Sequence, residues 1–161
     1  MKAATVHTLK QELVHRSHAE LLELCLRLSK FKKENKELLS YLLFEAHDEE
    51  SFISGIKHEV DLQFEEINRT RFYFVKKSIR KIQRNLRKYV RYSKKNETEV
   101  ELMIYFCKKL KEFRPSIKRS RVMTNLFNRQ VAAVEKVISK LDEDLQFDFG
   151  EELREVLNVE S

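Results

Sequence analysis

Apolar residues recur at intervals of three and four along almost the whole chain, the spacing that lays one hydrophobic stripe along an α-helix. Between Thr5 and His15, Val6, Leu9, Leu13 and Val14 mark a first short helix. Ser17 then precedes HAELLELCLRL, with Glu20 three residues on. That spacing predicts a capping box, in which the hydroxyl takes one orphan backbone N–H and the carboxylate returns to another. The second helix carries Leu21, Leu22, Leu24, Cys25 and Leu28. The stretch KKEN is a polar break before a third helix with Leu38, Leu39, Leu42 and Leu43. Connections this short predict three antiparallel neighbours.

Asp48 is placed to cap a fourth helix, whose apolar positions are Ile53, Ile56, Val60, Phe64 and Ile67. The pattern changes phase near Asn68 to Thr70, and a new stripe runs from Phe72 through Val75, Ile79, Ile82, Leu86 and Tyr89. Either two helices or one kinked helix fits that break. Asn96, with Glu99 three residues later, is expected to cap the next helix, which runs to about Phe113 through Val100, Met103, Ile104, Cys107 and Leu110. Pro115 stops it or opens its successor, because proline is best tolerated in a first helical turn. The successor carries Val122, Leu126, Val131, Val134, Val137, Ile138 and Leu141, and a last amphipathic piece, in GEELREVLNV, is expected to begin after Gly150. The pattern predicts an all-α fold of six to eight amphipathic helices. The arrangement is an antiparallel bundle or a short α–α superhelix, HEAT- or TPR-like in its hairpins but without their repeat consensus.

Composition agrees and narrows the class. Two glycines and one proline in 161 residues cannot supply the chain reversals of a many-stranded sheet. That length predicts a single helical domain over 1–161. No run of about 18 apolar residues exists, so no membrane span and no membrane partner are expected. The first residues lack the continuous apolar stretch of a secretion signal, and a cytoplasmic location is expected. Cys25 and Cys107 sit in apolar helical runs and read as two buried thiols.

Charge changes the picture most. The chain carries a net +6, distributed in blocks of alternating sign. Residues 42–66 sum to −7, 108–129 to +7 and 135–161 to −6. Between Ile67 and Lys95 there are twelve bases and no acid. At about 100° per residue, Lys76, Lys77, Arg80, Lys81, Arg84, Arg87, Lys88, Arg91, Lys94 and Lys95 fall opposite the apolar stripe, with Tyr73 among them. Phe72, Phe74 and Tyr89 lie on or near the stripe and read as core. Acidic segments of the same chain are one way to compensate such a face. An external anion, nucleic acid or polyphosphate, is the other.

Chemistry of other kinds finds little support. Glu12 and His15 have the Glu-x-x-His spacing of helical di-metal sites, but those sites need two such motifs. No Cys-x-x-Cys occurs. Gly55 and Gly150 lie too far apart for a phosphate-cradling loop. No catalytic residue, metal or cofactor is expected, and the chain reads as a non-enzymatic helical scaffold or protein-interaction module, whose protein partner is another chain or a second copy of itself. The alternative is a polyanion-binding module that uses the basic face of the helix over 70–95, with a contribution from Lys118, Arg119 and Arg121.

Overall fold

A computed structural model describes residues 1–158. Val159 and Glu160, counted above in the last amphipathic piece and the acidic block, lie outside the described residues. The fold is all-α, with eight α-helices and no strand among the described residues. None of these helices is long and apolar enough to cross a membrane. Internal contacts group into two compact units, one over 1–44 and one from Glu45 onward, and each is described by itself.

The N-terminal unit holds α1 (Val6–Val14), α2 (His18–Phe31) and α3 (Lys33–Ser40). Thr5 caps α1 by accepting from the Thr8 backbone N–H. The capping box of α2 is formed as expected: the Glu20 N–H donates to Ser17 Oγ, and the Ser17 N–H to Glu20 Oε2 at 2.8 Å. The polar break shrinks to one residue, extended Lys32. Lys33 already begins α3, and Asn35 Nδ2 ties it back to the Leu28 carbonyl. Helices α2 and α3 pack on each other, whereas α1 makes few contacts with either. The expectation of three antiparallel neighbours therefore needs correcting for α1. None of the residues in α1–α3 is buried. A single π-helical turn, Tyr41–Glu45, follows.

The second unit is built from α4 (Glu49–Glu65), α5 (Phe72–Ser93), α6 (Asn96–Glu112), α7 (Arg121–Ile138) and α8 (Glu143–Asn158). Helix α6 is its axis, packing against α4, α5, α7 and α8. A helix enclosed by neighbours must be apolar on several sides, and α6 buries Val100, Leu102, Met103, Ile104, Phe106, Cys107 and Leu110. Each such side chain contributes about 1.5–3 kcal/mol of transfer free energy. Asp48 caps α4 through the Ser51 N–H. The phase change at 68–70 is a true break between two helices. There the Asn68 side chain accepts from both the backbone N–H and the hydroxyl of Thr70.

Three expectations about this unit are corrected, and the choice at Pro115 is resolved. Asn96 is not a cap but the first residue of α6; Lys95 precedes it with no side-chain capping bond, and left-handed Lys94 (φ 58°) turns the chain. Pro115 stands past the end of α6, the first of its two expected places, ahead of a 3₁₀ turn over Ile117–Arg119. In α7 the core side is Met123, Phe127, Gln130, Val134, Val137 and Ile138, while Val122 is exposed. Helix α8 runs through Gly150, because buried Leu153 and Val156 hold it on the bundle beyond the glycine. The thiol expectation is half right. Cys107 is fully buried, and burial pushes its pKa up to about 12, but Cys25 is exposed.

Candidate functional site

Helix α5 divides along its length into a buried and a cationic side. Val75, Ile79, Ile82 and Leu86 are at most 3% exposed, with Tyr92 at 8%. Tyr89 stands at the edge of that side and donates its hydroxyl to Glu59 Oε2 on α4 at 2.8 Å. The opposite side carries Lys77, Arg80, Lys81, Arg84, Arg87 and Arg91, all exposed, and Lys76, half-buried, with exposed Lys94 one residue past the helix. Among the described residues, none of these eight forms an ion pair with a carboxylate. Lys88 and Lys95 differ. Lys88 lies over the Tyr89 ring, 4.7 Å from its centroid, and Lys95 pairs with Glu49 at 3.0 Å.

Three acids of α4, Glu49, Glu59 and Asp61, are engaged away from this face. Glu49 also accepts from the hydroxyls of Ser93 and Thr98, at the corner where α5 meets α6. Asp61 takes Lys109 at 2.8 Å and the Tyr105 hydroxyl at 2.6 Å, both from α6. Burial works against the Asp61 carboxylate, but those two donors outweigh it and hold its pKa below the ordinary value. Lys57, the lone base of the acidic block, goes to Glu101 at 2.6 Å. Helix α8, the other acidic segment, packs on α6 and α7. Intramolecular compensation therefore reaches α5 at the Lys95 end and at Tyr89, and not along its cationic side.

Between α5 and α7 that side continues into a cleft of about 320 Å³ lined by Arg80, Gln83, Arg87, Val122, Asn125, Leu126 and Arg129. A hydrogen bond from Gln83 Nε2 to Oε1 of buried Gln130, 2.7 Å, joins the two helices across it. The apolar residues misplaced in the sequence reading, Val122 and Leu126, belong to its wall. Arg129 was counted only as part of a basic block. It shares a face with Val122 and Leu126, seven and three residues on, and that spacing was the available signal. Three guanidinium forks around amides are suited to phosphate or carboxylate oxygens, which such forks bind bidentately. A neighbouring hollow is lined by Tyr73, Lys76, Lys77, Arg80, Gln83 and Arg84. Tyr73 is 62% exposed, and Phe74, expected in the core, is 39% exposed. Lys118, Arg119 and Arg121 are exposed around the start of α7.

No protein-family model, curated protein or solved structure matches this chain. The site is therefore argued from its own geometry.

Proposed function

We propose that the protein is a non-enzymatic helical module that binds a polyanion, nucleic acid or polyphosphate, along the cationic side of α5 and the cleft it forms with α7. The observation that carries this reading is the row of eight lysines and arginines, seven on α5 and Lys94 at its end, with no carboxylate partner among the described residues. Like charges three and four residues apart work against the helix, and a bound polyanion relieves that repulsion while releasing its own counterions. The forks of Arg80, Arg87 and Arg129 around one cleft give the anion a preferred seat.

Replacing Arg80, Arg84, Arg87 and Arg91 together by Gln tests it. The natural protein is expected to be retained on a heparin or phosphate matrix and to elute with rising salt. The variant, checked for unchanged helicity, is expected to pass through. Equal retention of the two at moderate salt overturns the reading. A second reading, a protein-interaction module, is favoured by the N-terminal unit, where α2 leaves Leu22, Leu24, Leu26 and Leu28 at least 40% exposed.

A further inference from the structure

A helical unit of 44 residues is too small to hold itself together by an internal core, and chains near that size usually depend on association. This one has none of its α1–α3 residues buried. The stripe of α2 runs through Leu21, Leu24, Cys25, Leu28 and Phe31, and Leu28 and Phe31 are 60% and 76% exposed. Exposed apolar area of this kind marks an interface.

The charges of α2 say what fits there. Its first half carries Glu20 and Glu23, its second half Arg27 and Lys30, all on one flank of the stripe. Glu20 is used in the cap with Ser17 and Arg16. Glu23, Arg27 and Lys30 form no ion pair among the described residues. When two identical helices pair antiparallel, each flank meets the same flank of the other, reversed. The acidic half of one copy then lies beside the basic half of the other, and the pattern occurs twice by symmetry. Parallel pairing sets that flank against the other flank of the partner, where Leu22 and Ser29 offer no charge to meet it.

We infer that α2 pairs antiparallel with α2 of a second copy of this chain, so that the protein is a two-fold dimer. The inference rests on the interaction-module reading and names its partner. With the axis between Leu24 and Cys25, Leu21 meets Leu28 and Glu23 comes within reach of Arg27.

Sedimentation and light scattering of the full chain test it. A dimer is expected at micromolar concentration, with the free thiols of Cys25 linked across the axis by a short bis-maleimide. Cys107, fully buried, is out of reach of the reagent. Glu23→Lys is expected to weaken the dimer at least tenfold, and Glu23→Lys combined with Arg27→Glu to restore it, a rescue that loss of folding does not give. A monomer at about 100 µM, roughly a hundredfold above a micromolar dissociation constant, overturns the inference, as does a dimer indifferent to the charge reversal. An apolar dye separates the two failures. A monomer that binds the dye leaves the interaction-module reading standing for a different protein, and one that does not bind it removes both.

Discussion

Arg84 stands at the middle of the cationic side, with Arg80 and Lys88 four residues away and Lys81 and Arg87 three away. Those are its nearest neighbours on a helix surface, and each like-charged pair at that spacing costs about 0.2–0.5 kcal/mol. Four pairs set about 1–2 kcal/mol against the folded state at low salt. Lys88 is partly drawn away over the Tyr89 ring, which favours the lower end. Gln has a helix propensity close to that of Arg, so Arg84→Gln removes charge and little else. The expected gain is about 1 kcal/mol in urea unfolding at low ionic strength, or about 2–4 °C in Tm for a chain of this size. At 1 M salt the Debye length falls to about 3 Å and the gain is expected to vanish. The same substitution is expected to lower the salt concentration at which the protein leaves a polyanion matrix. Stability gained where binding is lost is the signature of a side chain kept for a partner. An Arg84→Gln variant no more stable than the natural protein at low salt, or one whose gain survives 1 M salt, refutes the reasoning.

Other substitutions probe the frame that holds this face. An added Cβ at Gly55 or Gly150 meets nothing within 4 Å, so Gly55→Ala and Gly150→Ala are each expected to stabilise by about 0.5–1 kcal/mol in denaturant unfolding. Gln83→Ala strands the amide oxygen of Gln130, which is 2% exposed; a loss of about 1–3 kcal/mol is expected, recovered in part by Gln130→Leu in the same chain. Asp61 has a lowered pKa in the fold, so its stabilisation is complete above the ordinary value of 3.8 and is lost as pH falls through the lower folded value. Asp61→Asn is thus expected to lower Tm at pH 7, with the deficit closing in strong acid. Burial raises the Glu152 pKa, the Glu101 and Glu155 charges adding to it against Lys57 and Lys108. The sign reverses: Glu152→Gln is expected to stabilise at pH 7 and to have no effect well below pH 4.5.

Local chemistry was legible in the sequence, and the meeting of surfaces was not. The cap at Ser17 and the one at Asp48 involve groups three residues apart, so their residue types determine them almost alone. The phase of α7 illustrates the limit. Val122 and Leu126 lie on one line of that helix and Met123 and Phe127 on the next, about 100° round. Either line makes an acceptable stripe. The choice falls to Gln130, a polar residue that continues the second line into the bundle because Gln83 reaches across to satisfy it. Hydropathy counts that residue against the correct side. Gly150 misleads in the same way: a glycine costs a helix about 1 kcal/mol, less than the burial of Leu153 and Val156 returns. The cationic side of α5 was readable because no acid occurs between Ile67 and Lys95. Its exposure was not, since that depends on where carboxylates such as Glu49, Glu59 and Asp61 turn, and these turn to Lys95, Lys109 and the hydroxyls of Tyr89 and Tyr105. In α2 the same limit appears from the apolar side. Periodicity reports that a stripe exists and is silent on what covers it. What the sequence does hold is the order of charges beside that stripe, acid before base within one short helix, and this order separates an antiparallel copy from a parallel one before any partner has been seen.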